Sequence, residues 1–448
     1  MPDDSSEEPD SPEEGADEFR DLLREFLAGN TNIDPAQLAS AAGLPDDPDA
    51  VAKLIAQLQS ALSSSTEGVN WGIALEQAKT IASHSSVVSL PAERSQLEQA
   101  LHVASLWLDE ATFVSSLNSE PRLMSRTEWA TATMPIWTQL AEPVATSISN
   151  SLSDVLREQA PEELGDMMQS ASQLMRNVGG TLFAMQLGQV VGQLSTEVVS
   201  GGDIGIPLVD EGAALIPQNV LAFGADLDIP VDQVQLYLAV RELAHARLFR
   251  HAKWLRLQLM SSITEFARGI HIDTDRLQEL AEDFDPSSPE ELRAAMTSGA
   301  LIPPKTEEQL VALSRLETML ALIEGWVDVV TADATARLPK SDAIAETVRR
   351  RRASGGPAES AFGALVGLEL RPRRLREAAA MWRAVTEAVG AEKRDALWSQ
   401  PDLIPTSDDI DFPSLLIERI NGEAPTDDDF DQAIEDLLND ETDDRPKE

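Results

Sequence analysis

The run Arg241-Glu242-Leu243-Ala244-His245 contains two residues with the types and spacing of a zinc-dependent hydrolytic site. In the pattern H-E-x-x-H, two histidines one helical turn apart bind Zn²⁺, and the glutamate activates a metal-bound water. Glu242 and His245 stand at the base and second-ligand positions of that pattern. Arg241 stands at the first-ligand position, and a guanidinium, which has donors only, cannot bind a metal ion. The run therefore combines part of a hydrolytic site with a residue that opposes it.

One long helix, over residues 231–268, is predicted to carry this run. Apolar residues recur along one of its faces at three- and four-residue steps, and they are Val234, Leu238, Leu248, Ala252 and Leu255. Arg241 and His245 fall on the same face, which is expected to be buried. Because an uncompensated buried charge is costly, Arg241 is expected to have an acidic partner.

A second predicted helix, over residues 306–337, supplies that partner. Its apolar face contains Leu313, Leu316, Leu320, Ile323 and Val327, with Glu324 among them and Asp328 one turn further on. A planar guanidinium matches a carboxylate in a two-bond fork. We therefore predict a salt bridge from Arg241 to a nearby acid, with His245 hydrogen-bonded beside it. The candidate acids are Glu242, Glu324 and Asp328.

These segments, together with residues 352–380, resemble a family of bacterial zincin-like proteins whose members are labelled hydrolases or zinc-dependent metalloproteases. The matching runs include R-E-L-A-H-A-R-L-F and L-I-E-G-W-V-D, and the resemblance covers roughly residues 44–403. It implies that Glu242 stands at the general-base position and that His245 and Glu324 stand at zinc-ligand positions. Asp328, at the E-x-x-x-D spacing of gluzincins, would orient a ligand histidine. Arg241 makes the H-E-x-x-H motif degenerate.

Three functions are compatible with these residues. The first is a metal-free pseudoenzyme that acts as a binding or scaffold module for a protein or peptide partner, with no cofactor. The alternative is an active zinc-dependent hydrolase or metallopeptidase with an altered ligand set. The third is a metal-independent hydrolase that uses Glu242 and His245 as an acid–base pair.

The remaining histidines give no third zinc ligand. His251 follows Arg241 by ten residues, which is the third-ligand spacing of metzincins, but Leu248 stands where that class needs a glycine. On an uninterrupted helix His251 would point away from His245. The others have no metal-ligand spacing and are His84, His102 and His271.

The charge of the chain excludes several functional classes. Its formal net charge is −42, which argues against nucleic-acid binding. Both ends are acidic, with a net charge of −8 over residues 1–24 and −13 over residues 408–448. The sequence has no apolar run long enough to span a membrane. The acidic N-terminus and the absence of cysteine favour a cytoplasmic protein.

The periodicity and composition predict a mainly α, multi-helical fold with a zincin-like core and at most a small β-sheet. Short strands are expected only at residues 204–209 and 214–220. The predicted domains are an acidic disordered head (1–30), a short helical segment (31–68), a helical domain (69–202), the zincin-like core (203–405) and an acidic, mostly disordered tail (406–448).

One basic cluster stands out in this acidic chain. It comprises Arg349, Arg350, Arg351, Arg352, Arg371, Arg373, Arg374 and Arg376. We interpret this arginine cluster as a solvated face with charges at helix ends. In the alternative interpretation it binds a phosphate, an acidic partner or the acidic tail of the chain itself.

Overall fold

The computed structural model describes residues 69–158, 165–209, 212–269, 305–355 and 371–422, together with residues 359, 363, 367 and 368. Within these ranges the side chains of residues 147–178 are not described. The predicted head (1–30), the predicted segment 31–68 and the part of the tail beyond residue 422 lie outside the described residues.

The described chain forms twelve α-helices, so the prediction of a mainly α fold is confirmed. They are α1 (Trp71–His84), α2 (Pro91–Ala111), α3 (Arg126–Glu158), α4 (Gly165–Glu197), α5 (Pro217–Ala225), α6 (Val231–His251), α7 (Lys253–Arg268), α8 (Glu307–Ala334), α9 (Ser341–Ser354), α10 (Leu375–Ala396), α11 (Ser407–Asp411) and α12 (Pro413–Asn421). A 3-10 turn, Pro401–Leu403, precedes α11.

Helix α8 begins at a capping box. The Thr306 hydroxyl accepts a hydrogen bond from the Gln309 amide at 3.2 Å, and the Gln309 side chain accepts one from the Thr306 amide at 3.0 Å. Most residues of its second half are buried, because α8 packs against α2, α6, α7 and α10. The chain thereby places Glu324 and Asp328 at the centre of the molecule.

The prediction of one continuous helix over residues 231–268 is wrong. Ala252 leaves the helical conformation, with φ −95° and ψ 71°, and it separates α6 from α7. No proline or glycine marks this position, so the sequence alone gave no signal for a break. Both helices pack against α8, but α6 also lies on α2 whereas α7 also lies on α3. The break redirects the chain from α2 to α3.

The predicted small sheet is present, but it is smaller than expected and partly misplaced. Strand β1 (Arg122–Leu123) pairs in parallel with β2 (Ala214–Leu215), with Arg122 opposite Ala214. Residues 204–209, predicted as a strand, form turns and irregular chain instead. The segment after β2 becomes helix α5 because Pro217 is suited to the first helical turn.

A single apolar core runs through the described chain from Ala74 to Leu416, and it joins residues on both sides of the domain boundary predicted at residue 202. The division into a helical domain and a zincin-like core stays a prediction. Among the described helices, none is long and apolar enough to cross a membrane.

The predicted acidic tail, residues 406–448, begins with two helices. Thr406 caps α11 in a reciprocal arrangement with Asp409, and α12 buries Leu416 against the core. Burial and capping therefore stabilise helix over residues 407–421, and the mostly disordered state of the tail as a whole stays a prediction.

Candidate functional site

Helices α6 and α8 bring Arg241, His245 and Glu324 into direct contact. One oxygen of the Glu324 carboxylate accepts a hydrogen bond from the Arg241 guanidinium, so the predicted salt bridge is present. The other oxygen lies 2.9 Å from His245 Nε2. All three side chains are buried, and Glu324 is fully so. The sequence predicted both the ion pair and the histidine beside it.

The hydrogen bonds of His245 occupy both ring nitrogens. Nε2 faces the Glu324 carboxylate, and Nδ1 lies 3.1 Å from the carbonyl oxygen of Arg241. Both partners are oxygen acceptors, so the ring is held between α8 and the preceding turn of its own helix. A histidine ligand must offer a metal a lone pair, and the nitrogen at the motif position, Nε2, faces the Glu324 carboxylate instead.

A second arginine reaches Glu324 from helix α9. The Arg352 guanidinium lies 3.7 Å from Glu324 Oε1 and donates to the carbonyl of Ile204 at 2.9 Å. Burial alone would raise the pKa of the Glu324 carboxyl, but Arg241 and then Arg352 hold it well below its usual range. Gly205, at φ +82°, leaves room for this packing, because a Cβ there would lie 2.8 Å from Glu324 Oε1.

Glu242 points away from the ion pair and accepts hydrogen bonds from backbone amides. Its carboxylate oxygens receive the amides of Gly202 at 2.9 Å and Ala214 at 2.8 Å. Burial raises the pKa of Glu242 although these two amides act in the opposite direction. Sequence patterns could not show that the turn before β2, and β2 itself, would supply these donors.

Asp328 lies one turn after Glu324 and receives two hydrogen bonds from Arg349, at 3.1 and 2.9 Å. The role that the resemblance implies for Asp328, orienting a ligand histidine, stays a prediction. The fork geometry satisfies both carboxylate oxygens, so Asp328 anchors α9 onto α8. Of the three candidate acids for Arg241, the structure selects Glu324.

Three members of the arginine cluster are not part of a solvated face, and this corrects the sequence interpretation. Arg352 is buried beside Glu324, Arg349 bonds to Asp328, and Arg351 lies 3.1 Å from Asp203. Other members pair at the surface with Glu346 and Asp411. The spacing of arginines gave no indication that α9 would turn this face inward.

The remaining histidines lie outside this site. His251 ends α6 and is exposed, and His84 and His102 are exposed as well. His271 lies outside the described residues.

The residues at the motif do not fit a zinc ion. A zinc site of this type needs three protein ligands and an open position, and no group of three potential ligands forms among the residues that the structure describes. Two guanidinium groups occupy the surroundings of Glu324 instead. At about 4 Å and an effective dielectric constant near 20, each would oppose a dication by roughly 8 kcal/mol.

A cavity of about 640 Å³ opens beside Glu242 and His245. One wall is formed by Gly201 and Gly202, where the chain approaches so closely that a Cβ on Gly202 would lie 2.8 Å from His245 Cβ. Such a volume is typical of sites that hold a small molecule or several side chains of a peptide. Glu242 and His245 line this cavity although both side chains are almost fully buried, whereas Arg241 and Glu324 do not line it.

The stability of the protein is expected to depend on pH through Glu324. Its pKa is lower in the folded chain than the ordinary value of about 4.3, so its contribution is present above that pH and is lost as the pH falls below it. Urea unfolding of the wild type and of Glu324→Gln, between pH 3 and 7, measures the effect. We expect the stability difference to shrink by at least about 1 kcal/mol at the acidic end. A difference that stays constant with pH would contradict this assignment.

The segments that form this site lie within the part of the chain that matches a known family. A sequence profile described as "Zincin-like metallopeptidase" matches residues 69–417. A crystal structure of a candidate hydrolase with a novel fold, from Chloroflexus aurantiacus, superposes with a TM-score of 0.54. It shares 19% sequence identity and covers 80% of this chain and 100% of its own, which shows a common fold. No curated protein matches the chain.

Proposed function

Because the chain belongs to the zincin-like metallopeptidase family, we propose that it is a metal-free member that binds a peptide segment without cleaving it. The observation that carries this proposal is the ion pair between Arg241 and Glu324. Arg241 places a permanent positive charge where the family pattern expects the first metal ligand. The third-ligand position, Glu324, is neutralised by that charge.

The hydrogen bonds of His245 support the same proposal. Zinc would compete with His245 Nε2, with Arg241 and with Arg352 for the same glutamate. These three residues are carried by helices α6 and α9. The metal-free arrangement is therefore the more stable one on electrostatic grounds.

The cavity beside Glu242 supports a binding role. The cavity has a volume of about 640 Å³ and lies next to Glu242 and His245 of the degenerate motif. Leu117, Val209, Phe249 and Leu257 give it apolar walls, while Glu242 and Asn118 add polar groups. Sites that hold peptides combine such walls with a few polar contacts.

Metal analysis of the purified protein tests the proposal directly. We expect zinc well below one ion per chain after purification in zinc-containing buffer. Near-stoichiometric zinc, with peptidase activity that both a chelator and Glu242→Gln abolish, would establish the alternative of an active enzyme with an altered ligand set. Hydrolysis that Glu242→Gln abolishes in zinc-free protein would instead establish metal-independent acid–base chemistry.

Restoring the missing ligand should create zinc affinity. Arg241→His completes the H-E-x-x-H pattern and removes one cation from Glu324, so we expect the affinity for zinc to rise at least about a hundredfold. Adding Arg352→Gln removes the second cation and should raise it further. Isothermal titration with zinc chloride measures both effects.

The matched control for this experiment is Arg241→His combined with Glu324→Gln. It keeps both histidines but lacks the anionic ligand, so it should lose most of the gained affinity. If Arg241→His binds zinc no better than the wild type, Arg241 is not what prevents metal binding.

A further inference from the structure

Two unpaired cations line the cavity beside Glu242. Arg250 lies near the end of α6 and Lys253 begins α7, and both side chains are exposed. Among the described residues, neither side chain makes a hydrogen bond or an ion pair. A third basic residue of the lining, Arg256, is half-buried and takes part in an interaction of its own. The cavity therefore presents two cations that are available to a ligand.

The acid within the cavity does not neutralise these cations. Glu242 is the only acidic side chain among the described residues of the lining, and its oxygens accept hydrogen bonds from the amides of Gly202 and Ala214. Members of the arginine cluster such as Arg349, by contrast, are bonded to carboxylates. In a chain with a net charge of −42, two unpaired cations at one cavity are a local reversal of the prevailing charge.

Apolar side chains border the two cations. Phe249 lies in the wall of the cavity, and Leu257, which is 74% exposed, lies at its edge. Leu257 follows Lys253 by four residues on α7, so the two side chains are neighbours on one helix face, with Cβ atoms roughly 5–6 Å apart. In an extended peptide, side chains two positions apart lie on the same side and are separated by roughly 6.5 Å. A peptide with an acidic side chain two positions from an apolar one matches this arrangement.

We propose that this cavity selects peptides that carry an aspartate or glutamate two positions from a leucine or phenylalanine. The carboxylate pairs with Arg250 and Lys253, and the apolar side chain packs against Leu257 and Phe249. The cavity volume of about 640 Å³ accommodates several side chains. This assignment rests on the proposed function, because it specifies which peptides the binding site accepts.

The expected selection is opposite to that of the net charge of the protein. A chain with a net charge of −42 attracts basic peptides and repels acidic ones through its long-range field. A preference for acidic peptides therefore requires local cations, and unspecific electrostatic attraction does not produce it.

A set of synthetic peptides tests the proposal on the full chain. The hexapeptides are acetylated and amidated, so that side chains carry the only charges. Each has one leucine and, two positions away, an aspartate, an asparagine or a lysine, with mixtures of neutral residues elsewhere. Fluorescence anisotropy with an uncharged dye measures each Kd. We expect the aspartate peptides to bind about tenfold more tightly than the asparagine peptides, which have the same shape without the charge.

Charge reversal tests whether the two cations are responsible. Arg250→Glu with Lys253→Glu should reverse the order, so that lysine peptides bind more tightly than aspartate peptides. Lys305→Glu with Lys393→Glu makes the same change in net charge at exposed positions away from the cavity, and should preserve the preference for aspartate. Leu257→Ser should weaken binding of all the peptides without changing their order. The urea midpoint of each variant shows whether the fold is intact.

A further peptide distinguishes a side-chain carboxylate from a chain terminus. It has asparagine at the tested position and a free C-terminal carboxylate, and we expect it to bind like the amidated asparagine peptide. If it binds as tightly as the aspartate peptides, the cations recognise a terminus and the proposal is wrong.

Equal affinities for aspartate and asparagine peptides would overturn the proposal, and so would binding by none of the peptides. An order that Arg250→Glu with Lys253→Glu leaves unchanged would overturn it as well. Self-association of the free chain that the same two substitutions abolish would assign the cavity to a second copy instead. These outcomes are separate from failure of the proposed function, which appears as zinc bound to the wild type or as cleavage of the peptides.

Discussion

Replacing Arg241 with methionine is expected to destabilise the protein by about 3–5 kcal/mol. The substitution removes the cation that is hydrogen-bonded to Glu324, which is fully buried. Arg352 remains, but at 3.7 Å it cannot replace a direct guanidinium–carboxylate contact. Urea unfolding followed by tryptophan fluorescence measures the free energy of unfolding.

Two further variants test whether loss of the Arg241–Glu324 ion pair causes this destabilisation. Arg250→Met changes an exposed arginine on the same helix, and we expect an effect within about 0.5 kcal/mol. Arg241→Met combined with Glu324→Gln removes both charges and should be less unstable than Arg241→Met alone. A loss of less than about 1 kcal/mol for Arg241→Met would mean that the pair contributes little to the fold.

Replacing Asp395 with alanine is expected to have a similar effect, about 3–5 kcal/mol. This buried carboxylate accepts hydrogen bonds from the Thr112 hydroxyl at 2.6 Å, the Phe113 amide at 2.8 Å and Trp326 Nε1 at 2.9 Å. It also receives two bonds from Arg394, at 2.7 and 3.1 Å. Alanine would leave a buried guanidinium and several buried donors without their acceptor.

The position of Asp395 explains why its replacement should also disturb the site around Glu324. It joins the end of α2, the middle of α8 and the end of α10, and α8 carries Glu324. Asp402→Ala, at an exposed position nearby in sequence, is the matched control and should change the unfolding free energy by at most about 0.5 kcal/mol. Equal midpoints for the two variants would show that the Asp395 network is not required.

The contact between Arg241 and Glu324 could be predicted from the sequence because it follows from two apolar stripes. A helix face fixes which residues are buried together, and a lone cation on a buried face needs an acid. The same periodicity located the start of α6 and both ends of α8 to within a few residues, but not the end of α6. These are local patterns, and the charge requirement then selects among a small number of partners.

The contributions of Arg352, Gly202 and Ala214 could not be predicted in the same way. Each depends on how distant segments pack, and no spacing in the sequence relates α9 or β2 to the motif. The break at Ala252 also has no local signal, since alanine favours helix. Tertiary packing decides these features, and they determine the shape of the cavity and where its cations lie.

The two arginines at Glu324 have a consequence for engineering a metal site. Arg241 and Arg352 come from α6 and α9 and stand 111 positions apart (352 − 241). Histidine at position 241 alone would leave Arg352 beside the metal, and a change at position 352 alone would leave Arg241 at the first-ligand position. A single substitution removes only one of the two positive charges, so both positions must change together to free the Glu324 carboxylate of cations.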